Sequence, residues 1–345
     1  MFLLTVAIPT FNEEKVIKQN LENIHNIDFN EFQIEIIVSD NNSTDRTGEI
    51  VKKFSKIKYY KNNTNIGFGL NCNKIVNLAK GKFVWLLSSN DLINIKYFKD
   101  IYYFLENNTN LDVLFINYKE KYKEKFIICD SGNKFFDVTD FRSGLISSNI
   151  INKNQWKKIF VNLKKNHLAI EDWGSYYAGR RQILDITKPP IPTNNWIQFE
   201  YLIRVFEKKN VKAGVFLGQG IIDIPMDKSS WGHNGTFIYY GFEIVNLFKT
   251  MSLRFYSEKI KEKAISTIKK GYPKNLITAK ISGLKTDKLF NKTFIDTFNI
   301  NFIEKFIYIP LLLIPKEFFI FFFKIYFINR RLIKFLYLKL FKKIQ

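Results

Sequence analysis

FVWLLSSND, residues 83–91, is an apolar run that ends abruptly in two small hydroxyls, an amide and one carboxylate. The run has the length and continuity of a strand buried on both faces. Its exit presents Ser88, Ser89, Asn90 and Asp91 to whatever binds there. A site built for a dication alone would carry more carboxylates. The purpose of this corner therefore depends on what the neighbouring segments bring to it.

Upstream, LLTVAIP (3–9) is a similar buried run ended by Pro9, and the segment EEKVIKQNLENI after it is helical. Val16, Ile17, Leu21 and Ile24 share one side of that helix, with Asn12 placed as its N-cap. IEIIVS (34–39) is a second strand, closed by DNNSTD with Asp40 just past its end. Ser43 or Asp45 is positioned to cap a helix carrying Ile50, Val51 and Phe54. IKYYKN is a weaker third strand, NIGFGLNCNKIVNLAKG a glycine-broken loop running into a helix, and DVLFINYK the strand after FVWLLS. Strands alternating with helices give β-α-β units and a mainly parallel sheet with helices on both faces. Right-handed crossovers then put PTFNEE, SDNNSTD and SSND on one sheet edge, where such sheets bind ligands.

Beyond residue 120 the pattern loosens. KFIICD and SGLISSNII read as strands and KNQWKKIFVNL as a helix; WIQFEYLIRVFEKK is an amphipathic helix and GVFLGQGIIDIP a strand ended by Pro225. This half is expected to pack beside the sheet as the far wall of a cleft. Between its elements lies NHLAIEDWGSYYAGRRQ, acidic, aromatic and basic in turn. The chain divides into a catalytic domain, 1–232, and a helical, basic-aromatic region, 233–345. In the tail, Lys305, Lys316, Lys324, Arg330, Arg331, Lys334, Lys339, Lys342 and Lys343 face only Glu304 and Glu317. Prolines and charges interrupt its apolar runs before the roughly 20 residues a membrane-spanning helix needs. Short helices lying in the interface of an anionic leaflet fit this composition.

The formal charge is +21 over 345 residues, yet no compact basic helix or aromatic RNA-binding signature accompanies it. The expectation is an anionic small-molecule or lipid partner and no nucleic acid. Cys72 and Cys129 stand far apart without metal-ligand spacing, which fits a reducing compartment. MFLLTVAIPTFNEE lacks the positive leader and cleavage site of a signal peptide. The location expected is cytoplasmic, peripheral on the inner face of the plasma membrane.

The succession VAIPTFNEE, IIVSDNNSTDRT and NTNIGFGLNCNKIVNLAKGKFVWLLSSND resembles glycosyltransferase family 2, over roughly residues 3–95. SGLISSNIINKNQW, NNWIQFEYLI and IIDIPMDKSSW look more loosely like its abequosyltransferase-like branch, which builds lipid-linked surface polysaccharides. The resemblance implies a GT-A, Rossmann-like fold and transfer of a sugar from a nucleotide-sugar donor to a polyprenyl-linked saccharide, with inversion. Thr10, Asn12 and Glu13 are implied to lie against ribose and base, with Asp40 accepting a hydrogen bond from one of them. Asn65 and Gly67 match the segment lining the nucleotide pocket. The family's Asp-X-Asp falls on Ser88 and Asn90 here, followed by Asp91. Asp91 and Asn90 are therefore the candidate ligands of a weakly held Mg²⁺ or Mn²⁺; the plain alternative is that Asp91 caps the next helix. The base that deprotonates the acceptor is implied to be Asp172, assisted by Glu171, with Glu200 as a rival. Trp173, Trp196 and Trp231 are candidates for stacking on sugars, and His233 for touching phosphate. The competing function is a weakly active or inactive scaffold of a membrane glycan-assembly complex.

Overall fold

The computed structural model describes residues 2–28, 31–117, 126–131, 134–135, 149–160, 197–206, 210–223 and 301–315, with scattered positions between 245 and 321. Strand β1 (Leu4–Thr10) is buried along its whole length. It is flanked by β2 (Ile34–Asp40) and β4 (Phe83–Leu86), both parallel to it. The short edge strand β3 (Lys58–Lys61) pairs with β2. Helices α1 (Ile17–His25), α2 (Thr47–Val51) and α3 (Phe68–Leu78) make the crossovers.

Strand alternation sorts the side chains into two layers. Leu4, Val6 and Ile8 pack with Ile17, Leu21 and Ile24 of α1, and with Phe98, Ile101 and Leu105 of α4 (Ile95–Asn107). Ala7, Val84 and Leu86 face the other way, onto Cys72, Ile75 and Val76 of α3. Each fully buried Leu, Ile or Val contributes about 1.5–3 kcal/mol, so residues 3–9 are fixed by both layers at once. Burial also pushes the Cys72 thiol far up and the Cys129 thiol up to about 11. Both stay protonated.

The described part of the second half extends the sheet rather than standing beside it as a separate wall. β8 (Asn149–Asn152) runs antiparallel between β4 and β6 (Val113–Ile116). Next come β9 (Ala213–Phe216), parallel to β6, and β7 (Phe126–Cys129), antiparallel to β9. The order is β3-β2-β1-β4-β8-β6-β9-β7. Only β8 and β7 oppose the common direction, so the sheet is mainly parallel. GVFLGQGIIDIP is two strands, because the chain breaks at Gly218 and Gly220. The second, β10 (Ile221–Asp223), leaves the main sheet and pairs antiparallel with β5 (Asp91–Ile93). A Cβ on Gly220 would collide with Ile116 Cγ2, so the close approach at that break demands glycine.

α5 (Lys153–Ile159) is capped by Asn152, whose side chain accepts from Asn154 and Gln155 N–H. α6 (Ile197–Phe206) packs on the α3 layer through Phe199, Leu202 and Val205. Its Tyr201 hydroxyl donates to the Asp112 carbonyl at 2.8 Å. In the C-terminal region α7 (Phe302–Leu313) is helical and contains Pro310. The expected division at 232 falls outside the described residues.

Candidate functional site

Thr10 and Asp40 are Cα partners at the ends of adjacent parallel strands, and Leu87 N–H continues the β4 ladder to Ala7 O. The loops after β1, β2 and β4 therefore leave the same edge of the sheet. The β1 and β2 loops are stapled reciprocally. Asn12 N–H donates to Ser43 Oγ at 2.9 Å, and Thr44 N–H returns a bond to Asn12 Oδ1 at 2.9 Å. Glu13 N–H donates to Thr47 Oγ1 at 2.8 Å and Glu14 N–H to Asp45 Oδ2 at 3.1 Å. This explains why Asn12 is not the N-cap of α1. It sits in the left-handed region at φ 54°, its side chain turned to the β2 loop, and residues 13–16 form a turn before the helix begins at Ile17. Asp45 does serve the next helix: its Oδ1 accepts from Thr47 N–H at 3.0 Å, at the start of α2.

Asp40 is fully buried. Its Oδ1 accepts from Ser43 N–H at 2.7 Å and its Oδ2 from the Tyr59 hydroxyl at 2.5 Å. Burial, then the bond to Asp40, pushes the Tyr59 phenol far up, so it remains a donor. Gly48 makes room for this contact, since a Cβ there would lie 2.5 Å from Tyr59 Oη. Behind Asp40 is an amide network. Asn41 Nδ2 donates to Asn65 Oδ1 at 2.7 Å, and Asn41 Oδ1 accepts from Asn62 Nδ2 and Ile66 N–H. Asn65 Oδ1 also takes Gly67 N–H at 2.9 Å, which sets the entry to α3. Gly67 has φ 83°, a conformation that favours glycine, and the space where its Cβ would stand is open.

The β4 exit is held from behind by α1. Asn20 Nδ2 donates to the carbonyls of Ser88 and Asp91, and Asn23 exchanges two hydrogen bonds with the backbone of Ile93. Ser88 Oγ donates to Asn90 Oδ1, so the residues at the two Asp-X-Asp positions bind each other. Asp91 is buried at the head of β5, with Asp223 as its Cα partner across β10. It does not cap a helix: α4 starts four residues later, after Asn94. Among the described residues, no three His, Cys, Asp or Glu side chains converge as a metal-binding group.

Burial divides the candidates. Thr10, Glu13, Asp40 and Asp91 are buried, while Asn12, Asn65, Gly67, Ser88 and Asn90 are partly exposed. Asp40 braces its loop from behind, while Asn12, Asn65, Gly67, Ser88 and Asn90 reach the surface. Glu171, Asp172, Trp173, Trp196, Trp231 and His233 lie outside the described residues. Glu200 is buried on α6 and clamped by Arg204, at 2.6 Å to Nη2 and 2.8 Å to Nε. Its neighbour Tyr201 is anchored to Asp112 O, at the start of β6 and so on the opposite edge of the sheet.

Several residues that matter here carry no motif: Tyr59, Gly48, Asn20, and Asn149. Asn149, the first residue of β8, is fully buried, with neither amide atom hydrogen-bonded among the described residues. Its only sequence signal is an amide at the head of an apolar run.

The family model for glycosyl transferase family 2 matches residues 5–206. The GalNAc(5)-diNAcBac-PP-undecaprenol beta-1,3-glucosyltransferase of Campylobacter jejuni is 39% identical over 93 residues, 26% of this chain and 29% of that protein. Abequosyltransferase RfbV of Salmonella typhimurium is 33% identical over 96 residues, 26% of this chain and 29% of that one. The structure of S. aureus TarS residues 1–349 in complex with UDP-GlcNAc superposes with a TM-score of 0.51 at 19% identity. That match covers 86% of this chain and 80% of the other. It is a likeness of fold. The matches span only 21% to 40% of the length of the first relatives in sequence.

Proposed function

The chain belongs to glycosyl transferase family 2 and has its GT-A fold, and on that premise we propose that it transfers a sugar from a nucleotide-sugar donor to a polyprenyl-linked saccharide, inverting the anomeric carbon. One observation carries the reading: the loops after β1, β2 and β4 meet on one edge and are pre-organised there by side chain–backbone bonds. The names of the Campylobacter and Salmonella relatives support a lipid-linked saccharide acceptor in glycan assembly.

Asn12, Asn65 and the open backbone at Gly67 receive the nucleotide, on a loop frame fixed by Asp40 and Glu13. Asp172, with Glu171 beside it in sequence, takes the proton from the acceptor hydroxyl as that oxygen attacks the anomeric carbon. The bond to the nucleotide diphosphate breaks on the opposite face. The Arg204 clamp on Glu200 and the anchoring of its neighbour Tyr201 favour Asp172 over Glu200 as base. The oxygen-only pair Asp91 and Asn90 suits Mg²⁺ or Mn²⁺ weakly, with donor phosphate and water completing the shell. Such an ion would neutralise the departing diphosphate.

The scaffold reading has one observation in its favour, the neutral Ser88–Asn90 pair where two carboxylates stand in the family motif. Thermal stabilisation by a panel of nucleotide sugars, with and without each metal, followed by turnover assays, separates the two. We expect donor stabilisation weakened by Asp91→Ala. Asp172→Ala should keep it while turnover falls by about 10²- to 10⁴-fold. Stabilisation without turnover on any lipid-linked acceptor would favour the scaffold. Full activity of Asp172→Ala alongside an inactive Glu200→Ala would reassign the base.

The location we propose is the cytoplasmic face of the plasma membrane, through the C-terminal region. Phe302, Phe306, Ile309 and Leu313 recur at helical spacing along α7 and are exposed, three of them by 69–75%. An outward apolar face beside a basic tail suits an anionic leaflet. No helix among the described residues is long and apolar enough to span a membrane. Sedimentation with vesicles of phosphatidylcholine, with or without phosphatidylglycerol, checks it. Binding to the anionic vesicles should fall at least tenfold in Phe302→Glu/Phe306→Glu; equal binding by the variant refutes the assignment.

A further inference from the structure

We propose that Asn149 binds hydroxyl groups of the sugar handled at this edge, an inference that rests on the transferase reading. Asn149 is Cα-paired with Leu86 of β4 on one side and Phe115 of β6 on the other. Ile151, two residues along, packs in the same core layer as Leu86 and Phe115. Strand alternation therefore points Asn149 to that face, the one covered by α3. Two residues beyond Leu86 on the same face comes Ser88, half of the Ser88–Asn90 pair. Diagonal cross-strand neighbours on one face lie about 7–8 Å apart, so Asn149 sits one step beneath the corner where Asn90 and Asp91 stand. The loop of Asn65 and Gly67 enters α3 over the same face.

The amide is fully buried, and among the described residues neither Nδ2 nor Oδ1 has a hydrogen-bond partner. Asn20 and Asn117 at this edge each have one buried amide atom without a partner among the described residues, but only Asn149 has both, and the amides of the β2 loop network are fully bonded. Asn71 bonds Ser39 and Asn62 with its Oδ1 and Ser39 O with its Nδ2; Asn62 and Asn41 are likewise bonded through both ends. An orphaned buried polar group is costly, and a leucine would fill this position between Leu86 and Phe115 without that cost. The requirement that remains is a ligand. An amide offers two donors and an acceptor side by side. Adjacent sugar hydroxyls, each donor and acceptor at once, satisfy both ends. A phosphate oxygen would satisfy Nδ2 and leave Oδ1 bare.

The hydroxyls come from the donor sugar or from the acceptor's terminal sugar, and the test distinguishes the two. Asn149→Leu should hold or raise the melting temperature of the free protein while lowering kcat/KM by about a hundredfold. Asn149→Ala, which empties the position rather than filling it, should show the same kinetic loss. A nucleoside diphosphate should bind wild type and variants alike. Weakened binding of the nucleotide sugar then assigns the donor sugar; unchanged donor binding with a raised acceptor KM assigns the acceptor. If wild type and both variants are stabilised equally by the nucleotide sugar and share one acceptor KM, the amide is structural and the assignment falls alone. Should no nucleotide sugar stabilise even the wild type, the transferase reading falls and takes the assignment with it.

Discussion

Glu35 and Asp40 sit at opposite ends of β2, both carboxylates, both buried, with different surroundings. At the amino end Glu35 accepts from Lys58 Nζ at 2.6 Å, Lys80 N–H at 2.7 Å and Thr5 Oγ1 at 2.9 Å, and Gly81 N–H closes onto Thr5 Oγ1. Each of these groups has its partner. At the carboxyl end Asp40 braces a loop whose neighbours are less settled. Asn12 and Asn42 hold positive φ, and Thr10 Oγ1, Asn20 Oδ1 and both ends of Asn149 are buried without partners among the described residues. The contrast follows from the parallel sheet. Crossovers return the chain to the amino edge through short, closable turns, while the carboxyl edge gathers the open loops. A satisfied network stiffens the fold; unsatisfied groups and strained residues mark where the fold was shaped for something else.

The largest effect should come from the closed edge. Glu35→Ala leaves Lys80 N–H and the Thr5 hydroxyl without their acceptor, while the half-exposed Lys58 ammonium returns to water, and should cost about 2 kcal/mol in urea or thermal unfolding. Nucleotide-sugar affinity of the folded variant should not change. A loss of affinity would show that the two edges are coupled. Burial alone would raise the Glu35 carboxyl, but the Lys58, Lys80 and Thr5 bonds outweigh it and hold it below the ordinary 4.5. Its stabilisation is therefore complete above about that pH and is lost as pH falls through the lowered folded value. Stability measured from pH 7 downward should show this acid limb in wild type and a flatter one in Glu35→Gln.

Much of this was legible in the residues. Residues 3–9, 34–39 and 83–88 are apolar almost without a break because both their faces are covered, and that continuity shows in the bare order of side chains. The shared edge follows from alternation alone. What stayed hidden depends on contacts between segments distant in sequence. Asn12 looks like an N-cap until Ser43 and Thr44 claim it from 31 and 32 residues away. GVFLGQGIIDIP reads as one strand because its two glycines mark a break only against Ile116. The second half reads as a wall because an antiparallel insertion such as β8 has no signature in periodicity. Asn149 carries none either: its meaning lies in partners it lacks.

Tyr59 offers the smallest and sharpest probe of the open edge. Its phenol, kept protonated by burial and by Asp40, donates to Asp40 Oδ2 across the range where the protein would be assayed. Tyr59→Phe removes a single charge-assisted bond, worth about 1.5 kcal/mol, and leaves Asp40 held by Ser43 N–H alone. Nucleotide affinity should then fall a few fold, because the loop carrying Asn41 and Ser43 is less well fixed, and the unfolding free energy should fall by about the worth of that one bond. Gly48→Ala tests the same contact from the other side. In wild type the new Cβ would press on Tyr59 Oη at 2.5 Å; with phenylalanine the nearest remaining atoms lie 3.3 Å away. Alanine is the better helix former by about 1 kcal/mol, so Gly48→Ala should be harmful in wild type and neutral or stabilising beside Tyr59→Phe. A double-mutant cycle reads this as a coupling between the two positions. Strict additivity would mean that the phenol does not stand against Gly48, and the placement of Tyr59 beside Asp40 would fall with it.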